Sequence, residues 1–159
     1  MAPEPARNLP SSPALRAGSL PYPLFALTLQ QPWATAVCEL GKRIENRSWR
    51  PPKQLVGEVI AIHAGRVFDE AGADWLAART GKMTTSGNVP LGVVVALARV
   101  EAVVTDSEDP WFSGPYGWVL GEVTPLEPIP CRGRPQLWTA PDEVWNSIQE
   151  QLSQMSDIL

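Results

Sequence analysis

The chain is poor in the residues that most metal, redox and disulfide chemistry requires. It holds two cysteines, Cys38 and Cys131, and a single histidine, His63, in 159 residues. Two cysteines build no disulfide framework, and without a Cys-x-x-Cys pair or a second histidine a structural zinc site is not expected. No apolar run approaches the roughly 18 residues of a membrane span, and no basic segment followed by an apolar one opens the chain. A soluble cytoplasmic protein with no membrane attachment is therefore expected. A P-loop, a dinucleotide fingerprint, a serine-centred elbow and a metal-ligand cluster are all missing, so neither cofactor nor metal is expected. The net charge of −4 argues against wrapping a long polyanion. Nothing in the sequence specifies an oligomeric state.

What is present is enough for one folded domain, since 44% of the residues are hydrophobic. Residues 1–23 contain six prolines and little apolar pattern, so they are expected to form a disordered tail. A single domain is expected over residues 24–159, with a C-terminal helix. Leu24–Leu29 reads as a strand. Pro32 suits the first helical position after Gln31, Trp33, Ala36, Val37 and Leu40 form one apolar stripe, and Gly41 ends the helix. Residues 42–49 read as extended, Val56–Ala64 as a β-branched strand, and Phe68–Thr80 as a helix stopped by Gly81. Pro90–Thr105 predicts a central strand buried on both faces, bent at Ala98–Arg99. Residues 116–130 predict another strand, and Val144, Ile148 and Leu152 line a final helix that starts near Pro141. This order favours an α+β fold: a small, partly closed mixed β-barrel with helices packed at its rim.

Charge is unevenly spread. Residues 42–53 gather Lys42, Arg43, Arg47, Arg50 and Lys53 around one acid, Glu45, whereas beyond residue 105 Arg132 and Arg134 stand against nine acids. If the segment is extended, Glu45, Arg47 and Trp49 share one face. It is then either a solvated strand with a local ion pair and a packed tryptophan, or the wall of a site. An arginine fork suits phosphate, and an indole face suits a base. His63 is either a hydrogen-bonded core residue or a pocket residue. Trp118 is either core or a ring kept open beside Gly117. Trp111, Trp138 and Trp145 are expected to be packing residues, and Arg132 and Arg134 either border the patch or form a solvated turn. Cys38 is expected on the outer face of the first helix, with no partner to activate it as a nucleophile.

The stretches "LTLQQPWATAVCELGKRIENRSW", "GEVIAIHAG", "GVVVALARV", "PYGWVL" and "PIPCRGRPQLW" resemble an ASCH domain (activating signal cointegrator-1 homology), a module of the PUA-like superfamily together with PUA, EVE and YTH domains. The most specific match is Q-P-W-A followed by G-x-K-x-x-E-x-R-x-W, carried here by Gln31, Pro32, Trp33, Ala34, Gly41, Lys42, Glu45, Arg47 and Trp49. The resemblance spans about residues 24–139. It implies a small β-barrel with a cleft between the first helix and the barrel, lined by the Lys, Glu, Arg and Trp of that motif. It also implies recognition of single-stranded RNA, a nucleotide or a modified nucleoside. The ligand-binding candidates are accordingly Gln31, Pro32, Trp33, Lys42, Glu45, Arg47, Trp49, His63 and Trp118. The family includes small bacterial amidohydrolases of acylated cytidine, in which a Lys is followed three residues later by a nucleophilic Thr. Here Lys42 matches the Lys but Glu45 stands at the Thr position, so that mechanism does not carry over. A hydrolase would have to use Glu45 to activate water and Lys42 to stabilise the oxyanion. A protein-interaction module docking through the acidic C-terminal half is the third alternative.

Overall fold

Burial on both faces of the first strand sets the plan of the domain. In β1 (Phe25–Gln31), Ala26 packs in one hydrophobic cluster while Leu27 and Leu29 pack in another, so the sheet separates two cores. The structure is a computed structural model that describes residues 18–158. Its elements continue with α1 (Trp33–Glu39), β2 (Ile44–Arg47), a 3₁₀ turn at Lys53–Leu55, β3 (Val59–Phe68), α2 (Glu70–Thr80), β4 (Val93–Val104), β5 (Tyr116–Pro130), β6 (Leu137–Thr139) and α3 (Asp142–Ile158). The fold is α+β. Its six strands lie in the order β2-β5-β4-β3-β1-β6. β1 and β3 are parallel and every other neighbouring pair is antiparallel, so the sheet is mixed.

The two outer strands, β2 and β6, do not pair with each other, and the sheet stays open. It nonetheless curls back on itself. Arg47 Nη2 in β2 donates to the Thr28 carbonyl of β1 at 2.6 Å, although β5, β4 and β3 lie between these strands in the sheet. Register shifts supply the bending that such curvature needs. Three interrupt the β4–β5 ladder, one of them between Leu97 and Arg99, where the sequence predicts a bend. Inside the curl, Ala34 and Val37 of α1 pack with Ile60, Ile62 and Trp118. Outside it, Val144, Ile148 and Leu152 of α3 pack with Ala26, Leu97 and Trp138.

Several boundaries differ from the sequence reading. Residues 1–17 of the expected disordered tail lie outside the described residues. Its last part belongs to the domain: Leu20 is 6% exposed, the Pro21 carbonyl accepts from Trp145 Nε1 at 2.8 Å, and the Tyr22 hydroxyl donates to Asp142 at 3.0 Å. Prolines do not prevent docking when the chain needs few hydrogen bonds of its own and an aromatic side chain supplies one. β3 starts later than predicted because Val56 and Gly57 are taken up in a turn, and it runs on to Phe68. Pro32 occupies the N-cap of α1 rather than its first helical position. Cys38 does not face outward. It packs on the inner cluster and its thiol donates to the Val95 carbonyl at 3.4 Å, while burial pushes the thiol above its ordinary pKa. The three-residue β6 escapes pattern reading because a strand that short carries no period. No helix among the described residues is long and apolar enough to cross a membrane.

The Arg47 bridge gives the first prediction. Arg47→Met keeps much of the side-chain volume but leaves the Thr28 carbonyl without its cationic donor. Urea unfolding should show a decrease in stability of about 2–4 kcal/mol. An unchanged midpoint would mean that the curl does not depend on this bridge.

Candidate functional site

The helix that follows β1 begins where Gln31 turns its side chain back on the backbone. Gln31 Oε1 accepts from the Thr35 amide at 2.9 Å and Nε2 donates to the Pro90 carbonyl at 2.8 Å. Gln31 is wholly buried and Pro32 is buried beside it. These two residues fix the direction of α1 and thereby place Trp33, the next side chain, on the edge of a large cleft. The cleft has a volume of about 1590 Å³ and lies among β1, α1, β2, β3, α2 and the loops that precede β5 and β6.

Its floor carries the motif charges. After α1 the chain reverses at Gly41, whose φ of +76° lies in the left-handed region, and the Lys42 amide closes on the Ala36 carbonyl at 3.1 Å. Lys42 is thus directed under the helix and is 3% exposed. Its ammonium donates to the Ile44 carbonyl, lies 3.2 Å from Glu45 Oε1 and sits 5.7 Å from the centroid of the Trp33 ring. The other Glu45 oxygen is 3.4 Å from Arg47 Nη2. One carboxylate therefore serves two cations in a nearly dry place, and the trio keeps a net single positive charge. Glu45 and Arg47 share a face of β2, as an extended segment requires.

Above this floor stands an aromatic row. Trp33 and Trp75 have ring centroids 6.0 Å apart, and Trp75 and Trp111 have theirs 5.6 Å apart, all three lining the cleft. The Trp33 ring and the loop that bears Trp111 are held from behind. Asp69 caps α2 by accepting from the Gly72 amide at 2.8 Å, and its second oxygen accepts from Trp33 Nε1 at 3.0 Å. A Cβ on Gly72 would lie 2.6 Å from Trp33, so only glycine lets the indole rest there. Asn46 fixes the Trp111 loop: Nδ2 donates to the Trp111 carbonyl at 2.9 Å, and Oδ1 accepts from the Ser113 and Gly114 amides. Trp75 remains 39% exposed, with the Arg79 guanidinium 4.9 Å from its ring centroid.

The opposite character comes from three arginines that also line the cleft, Arg66, Arg132 and Arg134. All are exposed, and among the described residues no acid pairs with them. His63 lies between this group and the core. Its Nε2 is 2.8 Å from the Cys131 carbonyl and its Nδ1 is 3.3 Å from Thr28 Oγ1, while its ring meets Trp138 edge-on at 5.4 Å. A carbonyl only accepts, so the neutral ring carries its proton on Nε2.

The structure brings together Trp33, Lys42, Glu45, Arg47 and His63 around one cleft. It does not bring Trp49 or Trp118 there. These two indoles pack edge-on at 4.9 Å, Trp118 is fully buried, and its Nε1 donates to the Trp49 carbonyl at 3.2 Å. Gln31 and Pro32 stand behind the cleft rather than on it. The basic cluster also divides. Arg43 donates to the Val37 and Lys42 carbonyls and Arg50 lies over Tyr116, so neither joins Lys42 and Arg47 in the cleft. Trp111 is a cleft residue and not merely loop packing. Trp75 escapes the sequence reading, although a tryptophan beside rather than on the buried Ala73–Leu76 side of a short helix is a usable signal.

Comparison with known proteins places this geometry on a recognised scaffold. The chain superposes on the crystal structure of ASCH from Zymomonas mobilis with a TM-score of 0.51 and 18% identity, over 80% of this chain and 94% of that one. A second crystal structure, of a mutant ZmASCH protein from the same organism, gives a TM-score of 0.48 and 18% identity over 84% of this chain and 96% of that one. No family model matches the chain, and no curated protein does. The fold is thus that of the Zymomonas mobilis ASCH structure, an ASCH-domain fold.

His63 gives the prediction for this site. Burial lowers its pKa below the ordinary value of 6.5; the bond to the Cys131 carbonyl opposes that shift and the charge of Arg66 adds to it. The unfolded chain then takes up the proton before the folded one does. The contribution to stability is full above the unfolded value and is lost as pH falls toward the lowered folded value. Urea midpoints compared at about pH 7.5 and about pH 5 should converge toward each other in His63→Phe relative to the native chain. An equal pH dependence in both would rule out this assignment.

Proposed function

We propose that the cleft binds single-stranded RNA, or a nucleotide or modified nucleoside, by stacking a base against the Trp33–Trp75–Trp111 row and placing phosphate near Arg66, Arg132 and Arg134. The observation that carries this reading is the pairing of three adjacent indoles with three arginines that have no acid partner among the described residues. Stacking is tolerant of base identity, and guanidinium groups match phosphate oxygens in two-pronged geometry. The acidic body and the confined cleft favour a short single strand over a long duplex. The resemblance to PUA-like domains, whose theme is RNA or nucleotide recognition, supports the same ligand class. Lys42, Glu45 and Arg47 act in this reading as a compensated floor whose spare positive charge attracts the ligand.

A hydrolase reading rests on one observation, the Lys42–Glu45 pair at 3.2 Å in the cleft. There Glu45 would activate water and Lys42 would hold the oxyanion. Both carboxylate oxygens are already engaged, one by Lys42 and the other by Arg47, which leaves neither free to receive a proton from water.

Fluorescence titration with nucleotides and short oligouridylates tests the binding reading. Trp75→Ala and Trp111→Ala should each weaken binding by about 1–3 kcal/mol. Trp49→Ala, whose ring packs on Trp118, should lower stability and leave affinity nearly unchanged. If the wall variants bind as the native chain does, the base does not stack there. Incubation with acylated cytidine, followed by chromatography, tests the alternative: turnover abolished in Lys42→Ala and Glu45→Ala would make the protein an enzyme.

A further inference from the structure

Two of the three arginines assigned to phosphate sit on one short loop, and the loop is tied down unusually closely. Every residue from Cys131 to Gln136 lines the cleft. At its ends the loop is held by backbone bonds: the Cys131 amide donates to the Gly92 carbonyl, and the Thr28 amide donates to the Gln136 carbonyl, both at 3.1 Å. Between them, two side chains of neighbouring strands hold its carbonyls. His63 Nε2 donates to Cys131 at 2.8 Å and Thr28 Oγ1 donates to Arg134 at 2.7 Å. Thr28 has one hydroxyl proton and uses it on Arg134, and its oxygen accepts from Trp138 Nε1 at 2.9 Å. The His63 ring is consequently set in place by Trp138 on one side and by the loop on the other. The loop backbone lies directly against that ring, because a Cβ on Gly133 would fall 2.2 Å from His63 Cε1. The arrangement makes the backbone rigid while Arg132 and Arg134 keep their own side chains exposed.

We propose that His63 is a positioning residue, whose Nε2–H bond to Cys131 and whose ring beneath Gly133 hold the 131–136 loop so that Arg132 and Arg134 face an anionic ligand in the cleft. The ligand part rests on the nucleic-acid reading above; the loop-holding part stands apart from it. The energetic logic is preorganisation. A loop already fixed in the binding geometry does not lose its backbone freedom when the anion arrives, so more of the arginine–phosphate attraction is expressed as affinity. Histidine suits the task because it supplies a donor at the reach of Nε2 together with a flat face on which glycine can rest.

Limited trypsinolysis of the full chain reads the loop directly. Arg132 precedes Gly133 and is open to cleavage once the loop loosens, whereas Arg134 precedes Pro135. His63→Phe and Gly133→Ala should each raise the rate of cleavage after Arg132 by about tenfold relative to cleavage after Lys82, which is remote in sequence and exposed. His63→Gln, whose amide nitrogen stands at the same reach as Nε2, should restore most of the protection. In oligouridylate binding, His63→Phe should flatten the slope of log affinity against log salt by about 0.7 for each phosphate that the loosened loop no longer neutralises. A purely structural histidine would shift the unfolding midpoint and leave that slope alone. Equal cleavage after Arg132 in the native chain, His63→Phe and Gly133→Ala overturns the proposal, as does a loosened loop with an unchanged salt slope. If the native chain binds no nucleotide or oligonucleotide, the proposed function fails, and the cleavage rates still decide whether His63 holds the loop.

Discussion

Glu45 keeps one oxygen 3.2 Å from Lys42 Nζ and the other 3.4 Å from Arg47 Nη2, and the same Arg47 group reaches across to the Thr28 carbonyl. The sheet is open in its hydrogen bonding, so something other than a ladder must hold its two halves together around α1. A charge trio, with Lys42 and Glu45 buried and Arg47 half-buried, does this at a cost in desolvation, which is smallest where each charge is matched and its hydrogen bonds are filled. Lys42 meets that condition through the Ile44 carbonyl and Glu45 through its two cations, whereas Arg47 meets it at Nη2 but keeps a buried Nε without a partner. Removing Glu45 would leave two neighbouring cations without their counter-charge, whereas removing either cation leaves the carboxylate paired with the other. The floor of the cleft and the closure of the fold are therefore one construction.

That construction divides the charges of the protein into two kinds. Lys42 and Arg47 are engaged largely by Glu45 and by backbone carbonyls, so they supply a field more than a direct grip on a ligand. Arg66, Arg132 and Arg134 have no such acid partner among the described residues and remain available to an anion. The aromatic wall follows the same rule. Trp33 is restrained by Asp69 and Gly72, and the loop that bears Trp111 by Asn46, so both are held in place by the protein itself. Rigid rings lose little entropy on binding, which is one reason such walls are effective.

Much of this is legible in the sequence, for physical reasons that can be separated residue by residue. The apolar stripe of α1, the caps at Gly41 and Gly81 and the doubly buried β4 follow from periodicity and backbone sterics, which are local. The juxtaposition of Lys42, Glu45 and Arg47 follows from a period of two in β2 and a turn of fixed sense before it. Trp49 shows the limit. It shares the alternation of Glu45 and Arg47, but β2 ends at Arg47, so the period no longer governs where Trp49 points, and its ring goes to Trp118. Trp75, Trp111 and Arg66 come from three separate elements and meet only through tertiary packing. No spacing rule relates them. His63 is ambiguous in sequence because it does both things weighed for it: it packs on Trp138 in the core and lines the cleft.

β2 explains why so short a strand carries so much of the site. It pairs with β5 on one side only, so its other edge has no ladder to fill. Along its four residues, Glu45 and Arg47 turn toward β1 and Lys42, whereas Asn46, between them, turns to the loop that bears Trp111. One strand with a period of two thus sets the charged floor with alternate residues and the aromatic wall with the residue between. A register slip by one residue would exchange the two sets, burying Asn46 at the closure and aiming the ion pair at the loop. The pairing of Glu45 with Trp118 and of Asn46 with Gly117 opposes that slip. A Cβ on Gly117 would lie 2.8 Å from Phe112 and 2.9 Å from Ile44, so the partner strand admits only glycine at the position opposite Asn46. Trp118, buried and useless for touching a ligand directly, acts on the cleft by fixing which face β2 presents to it.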